Sequence, residues 1–338
     1  MKIFVHMKLF CALAAVTVLF APAAPATRGG APTARASGSA SEDDSEKIER
    51  RVAVEPTVTV ALCVASGDVI VRGWDRREVR ASSADAGQLK LKLNESPTRA
   101  EAATAGGRVE VLVSDDEEDN VSSGACGGSA DIELDVPRGA TVILKVGSGD
   151  LDVSDVATAQ LRSGDGGIEV RNVTGGLDVV TVSGNIFLKG SGGSVRLRTV
   201  GGDIEASEAR TTATGDVFSV GTTSGGITLE DIAHTRVDAS STSGDVHMTG
   251  SLARGGIYKF KSHSGNVTLE LPGDASFNVN ARVVMDGEII TDFPIKSQGG
   301  PAPLTGFSAG RLTGSVGKGD AEVNLSSFNG TLYLRKKQ

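Results

Sequence analysis

Val142-Ile143-Leu144-Lys145-Val146-Gly147-Ser148-Gly149-Asp150-Leu151-Asp152-Val153 decides the fold of this chain, because its pattern returns at Ala159-Gln160-Leu161-Arg162-Ser163-Gly164-Asp165-Gly166-Gly167-Ile168-Glu169-Val170. Each stretch holds an apolar-x-apolar pair, four residues, a glycine, one residue and a second apolar-x-apolar pair. Alternation at period two makes each half a short strand with one buried face. The fixed glycine marks a corner, where positive φ is expected because only Gly adopts it without steric cost.

Outward from this pair the unit continues as Leu177/Val179 with Ile186/Leu188, then Val195/Leu197 with Ile204/Ala206. It goes on as Phe218/Val220 with Ile227/Leu229, Val237/Ala239 with Val246/Met248, and Tyr258/Phe260 with Val267/Leu269. Two outlying copies stand at Val60/Leu62 with Val69/Val71 and at Val323/Leu325 with Leu332/Leu334. The corner glycines are Gly67, Gly149, Gly166, Gly184, Gly202, Gly225, Gly244, Gly265 and Gly330. Asp or Asn often follows, as at Asp68, Asp150, Asn185, Asp203, Asp245 and Asn266, placed to close the turn onto nearby backbone. Gly192, off the corner, is expected to tolerate a side chain better than Gly202.

Leu144 and Leu151 lie seven residues apart, as does every later equivalent pair, whereas successive units step by 17, 18, 18, 23, 19 and 21 residues. All length variation therefore falls in the opposite corner. A constant edge and an inserted edge describe an all-β, single-chain parallel β-solenoid with two short strands per coil of about 18–23 residues. Hairpins would need tight turns at both ends, and parallel ladders fit the repeat better. Such coils bury their apolar stripe only by stacking, and the flanks should cap the open strand edges.

Composition agrees. Among 338 residues are 44 Gly and 4% aromatic residues, and 42 acidic side chains outnumber 34 basic ones for a net charge of −8. The glycines lack the triplet period of collagen, and the acidic balance argues against nucleic acid, whose binding rests on neutralised phosphates. At the N-terminus, Lys2 and Lys8 precede an apolar run from Leu9 to Phe20 and then Ala24-Pro25-Ala26. This pattern reads as a signal peptide over residues 1–26, with a retained anchor as the alternative. The run falls short of the roughly 20 apolar residues of a membrane span, and Lys8-Leu9-Phe10 before Cys11 lacks the small residue of a lipoprotein site. No later segment is long and apolar enough to span, so no transmembrane segment is expected after cleavage. Residues 27–47 read as a flexible linker, residues 48–141 as leading and capping strands, 142–271 as regular coils, and 272–338 as C-terminal coils and cap.

Ser66-Gly67-Asp68-Val69-Ile70-Val71-Arg72-Gly73-Trp74-Asp75 resembles the leading Gly-Trp-Asp strand of a known family. Asp131-Ile132-Glu133-Leu134-Asp135-Val136-Pro137-Arg138-Gly139-Ala140 resembles its strand and Val-Pro-Arg-Gly turn before the repeats. The family is the bacterial "putative adhesin" group, and the resemblance covers roughly residues 50–338. It implies an exported β-solenoid domain of largely unknown function, with no catalytic residues to carry across.

Candidate chemistry is sparse. The run Asp115-Asp116-Glu117-Glu118-Asp119-Asn120 is the densest charge cluster, to be read as a cation site or as a solvated loop. The corner column Asp150, Gly167, Asn185, Asp203, Gly226, Asp245, Asn266 puts no two Asp in succession, which suits turns and not ion ladders. His234, His247 and His263 show no metal spacing, and His247, between Val246 and Met248, should face outward. Trp74 is a sugar platform or, on the blander reading, a packed residue closing a turn. The outward columns read Asp152, Glu169, Phe187, Glu205, Thr228, His247, Thr268 on one sheet and Gln160, Asp178, Arg196, Ser219, Asp238, Lys259 on the other. Neither concentrates the paired carboxylates of a glycosidase. No catalytic, cofactor-binding or metal-binding residue is assigned and no cofactor is expected.

Cys63 should face outward beside Lys145, Arg162, Arg198 and Lys261, and a free thiol is a liability in an exported chain. A Cys63–Cys126 disulfide is therefore expected. The expected function is that of an exported, non-catalytic envelope or surface protein, an adhesin or scaffold for a protein or glycan partner. The location is periplasm, cell surface or medium, and nucleic acid is excluded as a partner. A carbohydrate-active β-helix enzyme and an envelope-stress sensor are the alternatives. Partner contacts are expected on the inserted edge, where Ser207–Asp216 and Thr249–Gly256 carry Glu208, Arg210 and Arg254.

Overall fold

The structure, a computed structural model, describes residues 47–94, 107–114, 126–297, 300–301, 307–308 and 310–337. No helix occurs among the described residues, and the strands form two long sheets of 14 and 15 strands. One sheet collects the strands upstream of each corner glycine, such as Thr141–Ser148, and the other the strands downstream, such as Leu151–Ser154. Parallel ladders join successive coils in register, with Val142 beside Ala159 and Leu151 beside Ile168. The two sheets face each other, so the apolar pairs of both form one core. Val142, Leu144, Leu161, Val153 and Val170 are fully buried.

The two outlying units belong to the same stack. Strand Thr59–Ser66 pairs directly with Thr141–Ser148, and Glu322–Asn329 pairs directly with Ile257–Ser264. Nine glycine-cornered coils are thus continuous in space although the chain leaves the stack at both ends. Outside them, Arg108–Ser114 and Ile132–Pro137 make a further coil against Thr59–Ser66 and Val69–Trp74. Phe277–Val283 and Glu288–Thr291 do the same at the far end. Antiparallel strands then close both ends: Gln88–Asn94 and Glu78–Ser83 at one, Arg311–Val316 at the other. Lys90 and Lys92 on the outermost strand Gln88–Asn94 discourage further pairing.

The corner glycines are needed for a different reason from the one the sequence suggests. Seven have φ between 123° and 157°, but Gly202 and Gly265 lie outside the left-handed range. What all nine share is close approach. A Cβ on Gly202 would lie 2.1 Å from the Gly184 carbonyl oxygen, and one on Gly244 2.0 Å from that of Gly225. Glycine is kept because backbone stacks on backbone. Gly192 is also constrained, since its Cβ would lie 2.6 Å from Thr174 O and 2.8 Å from the Thr212 methyl.

The Asp and Asn after the corner also act between coils instead of within the turn. Asp150 Oδ1 accepts the Gly167 N–H at 2.7 Å, Asn185 Oδ1 that of Asp203 at 2.8 Å, and Asp245 Oδ1 that of Asn266 at 2.7 Å. Contrary to the sequence reading, aspartates do stack: Asp131 Oδ1 accepts from Asp68 N, and Asp68 Oδ1 from Asp150 N. Each spends one oxygen on the next backbone N–H, which offsets their mutual repulsion.

Candidate functional surfaces

The outer face of the downstream sheet carries the expected column Asp152, Glu169, Phe187, Glu205, Thr228, His247, Thr268, in register from coil to coil. Its charges are partly spent on one another. Arg171 donates to Asp152 at 3.2 Å and to Glu169 at 2.8 Å, and these carboxylates raise the guanidinium above its usual value, with Glu169 the larger cause. Phe187 stands half-exposed between Glu169 and Glu205 and separates two shallow hollows of about 210 and 320 Å³. On the upstream sheet Arg162 reaches Asp178 at 2.7 Å, and a hollow of about 340 Å³ runs past Gln160, Asp178, Arg196 and Ser219. Among the described residues no group of three or more His, Cys, Asp or Glu could hold a metal ion. The acidic run 115–120 lies outside the described residues.

His247 faces outward and shares a hydrogen bond with Thr249 Oγ1 at 3.0 Å. His234 is fully buried, its Nε2 donating to Gly193 O at 2.8 Å. His263 stacks on Phe328 with ring centroids 4.6 Å apart. No two of these histidines share a site. Trp74 donates through Nε1 to Glu78 O at 2.9 Å, and Arg76 and Arg80 cover its ring at 4.9 and 5.3 Å. The ring is roofed by two cations, the arrangement of a packed turn residue. Cys63 and Cys126 are joined as a disulfide on the outer face of the upstream sheet, tying residues 126–129 to strand Thr59–Ser66.

The inserted edge is firmly built. In residues 207–216, the Asp216 carboxylate accepts the Ala213 and Thr212 N–H groups at 2.7 and 2.8 Å, and these bonds pull its pKa below the usual value. In residues 249–256, the buried Tyr258 hydroxyl accepts from Ala253 N at 2.7 Å and donates to His234 O at 3.0 Å. Glu208 and Arg210 are exposed but lie at the end of strand Ile204–Arg210, not in a loop as expected, because the ladder to Ile186–Gly192 runs on through Arg210. Arg254 is exposed in residues 249–256, 3.8 Å from Asp320, and Glu208 lies 3.9 Å from Lys189.

Two columns escaped the sequence reading. One is a ladder of buried hydroxyls three residues before the corner: Thr199, Thr222, Ser241, Ser262 and Ser327 each donate to the corner-glycine carbonyl of the preceding coil at 2.8–3.1 Å. Aligning the units on their glycines would have exposed this Ser/Thr-x-x-Gly spacing. The other is a left-handed column at the far end of the downstream strands, with Asp155, Asn172, Gly190, Glu208 and Asp231 at φ of 50–68°. Asp, Asn and Gly tolerate that conformation, but no single residue type marks it.

Two parallel-rich sheets folded face to face from one coiling chain define an all-β toastrack solenoid. The profile of the Toastrack DUF4097 family matches residues 78–335, and the chain belongs to that family. No curated protein matches it. A solved structure described as a "putative cell adhesion protein" from Clostridium sporogenes is 11% identical, with a TM-score of 0.27, covering 86% of this chain and all of its own. Among the described residues no helix is long and apolar enough to cross a membrane.

Proposed function

We propose that the protein is an exported, non-catalytic component of the cell envelope or surface that presents its solenoid to a protein or glycan partner. The observation that carries this reading is the way the coils spend their polar groups. Corner carbonyls, corner carboxylates and the Arg171 and Arg162 ion pairs bind coil to coil, so the chemistry of the repeat goes into rigidity. A rigid stack with long outer faces is the form in which solenoids offer extended binding surfaces. The inserted edge is the first place to look for the partner, since Glu208, Arg210 and Arg254 are exposed on a strand end and a loop that are themselves held in place.

The test is fractionation of the native host followed by capture. The protein should be recovered processed near Ala26 from the envelope or medium, and the purified product should retain an envelope partner on a column without cleaving envelope polysaccharide. Recovery of unprocessed protein in the cytosol would refute export. Release of new reducing ends from polysaccharide would favour the carbohydrate-active alternative. Replacing the exposed Glu208, Arg210 and Arg254 together by Ala should preserve melting and abolish capture. Undiminished capture would move the partner off that edge.

A further inference from the structure

Six large apolar side chains are exposed among the described residues, and five of them lie on one edge: Val182 (55%), Val200 (52%), Phe328 (39%), Val284 (47%) and Met285 (55%). This is the constant edge, opposite the inserted loops. Register explains the clustering. Val182, Val200 and Phe328 each stand two residues before a corner glycine, the position held in the intervening coils by exposed Thr223, Thr242 and His263. The adjoining coil adds Val284 and Met285, whose N–H groups bond Ser327 O and Phe328 O. An uncharged stripe of seven coils therefore runs along the edge, about 30 Å at a strand spacing of roughly 4.8 Å.

Charge brackets this stripe. Two residues earlier in these strands stand Arg198 and Lys261, with uncharged residues between them, and Lys145 and Arg162 hold the same register in the coils before the stripe begins. Past the corner runs the column with Asp150, Asp203 and Asp245. Lys145 and Asp150 belong to one coil, as do Arg198 and Asp203, while Arg162 and Lys261 each lie one coil from an aspartate of that column. Within the stripe, basic residues stand on one flank and aspartates on the other, with Arg198 and Asp203 in one coil and Lys261 one coil from Asp245.

We infer that the constant edge is a homodimer interface whose occupant is a second copy of this chain, related by a two-fold axis parallel to the stack. Only that rotation keeps coil level with coil while exchanging the two flanks. It sets each apolar side chain against its own equivalent and each basic column against the acidic column of the other copy, an isologous contact. Turning the second copy end for end would instead put basic column on basic column. A charged partner such as a nucleic acid or an anionic lipid surface would match one flank alone. From the basic column to the aspartates is about five residues, roughly 17 Å of chain measured around the corner, so the stripe with its flanks covers at most about 500 Å² per copy. That is the low end of specific interfaces, so a weak, reversible dimer is expected. The inference does not depend on where the protein resides.

Sedimentation equilibrium of the mature protein with its disulfide intact tests it. A monomer–dimer equilibrium is expected. Val200→Glu and Phe328→Glu should each weaken it by about tenfold or more, and Arg198→Ala should both weaken it and lessen its salt dependence. Val200 is more than half exposed, so far-ultraviolet dichroism and melting of Val200→Glu should stay unchanged, whereas Phe328→Glu also gives up its stack on His263. Orientation is read separately, from Val182→Cys and Phe328→Cys proteins under mild oxidation. In the parallel dimer each forms a covalent dimer with itself. A monomer at every accessible concentration overturns the inference, as does a dimer indifferent to the two glutamates. Crosslinking of Val182→Cys only with Phe328→Cys would overturn the parallel arrangement.

Discussion

Replacing Gly202 by Ala isolates the close approach of backbones that the corner glycines permit. Its φ lies outside the left-handed range, so the new methyl carries no dihedral strain and acts only by contact. That methyl would sit 2.1 Å from Gly184 O and 2.6 Å from its carbonyl carbon. Reaching an ordinary separation requires the two corners to part by about 1 Å. Three hydrogen bonds hold them together: Gly184 N to Gly201 O at 3.0 Å, Asp203 N to Asn185 Oδ1 at 2.8 Å, and Thr199 Oγ1 to Gly184 O at 3.1 Å. Each would stretch past useful length, at about 1 kcal/mol apiece, for a loss of about 3 kcal/mol. For a domain of this size that lowers Tm by roughly 6–12 °C. Gly215→Ala is the control, because φ there is 98° and nothing lies within 4 Å of its Cβ. It should cost only the dihedral strain of about 1–2 kcal/mol. Gly244→Ala combines a φ of 157° with a 2.0 Å contact and should be the worst of the three. The assay is thermal unfolding by calorimetry under one buffer condition. Equal shifts for Gly202→Ala and Gly215→Ala would show that close stacking does not reserve the corner for glycine.

Further outcomes follow from the same contacts. Thr222→Val removes the donor to Gly202 O and should cost about 1–2 kcal/mol in urea melts, whereas Thr181→Val, whose buried hydroxyl has no partner, should be neutral or stabilising; the reverse order would refute the hydroxyl ladder. Reducing Cys63–Cys126 frees a loop with a sequence separation of 63 residues, and chain entropy puts the loss at about 4 kcal/mol; two titratable thiols in unreduced protein would sink that prediction. Burial raises the Tyr258 phenol above its ordinary 10.0, so the unfolded chain ionises first and stability falls as pH rises through that value. Tyr258→Phe should flatten that alkaline decline, and an unchanged slope would exclude the group. The Asp216 carboxyl is held below its ordinary 3.8, so its contribution persists at neutral pH and is lost as pH falls below that value. Asp216→Asn should speed hydrogen exchange at Thr212 and Ala213, and unchanged exchange would mean that other contacts hold the loop.

Much of the fold was legible because the repeat signals itself twice, by period-two burial and by a glycine at fixed offset. That pattern identified the strands of all nine coils, and Phe187 and His247 occupy the outward positions it assigned. It could not show that Thr59–Ser66 abuts Thr141–Ser148, since the spacing between them resembles no coil and adjacency is settled by pairing across 82 residues. Nor could it distinguish positive φ from close stacking, because both demand glycine. The surfaces were less legible. Counting outward residues showed which side chains face solvent, but the apolar constant edge emerges only when Val182, Val200 and Phe328 are brought level with Met285 from a coil out of sequence order. The pairing of Asp68 under Asp150 was hidden for the same reason.

That out-of-order stacking has a consequence for how the chain is completed. The last strand, Leu332–Lys336, lies between Val267–Leu271 and Glu288–Thr291, and Glu322–Asn329 likewise separates Ile257–Ser264 from Phe277–Val283. The segment 322–336 is therefore inserted between strands that all precede it in sequence, one pair in each sheet. It supplies the ladders by which the strands Phe277–Val283 and Glu288–Thr291 join the coil before them. Loss of residues 322–336 would therefore cut the far cap off from the regular coils while leaving the ladders among those coils intact.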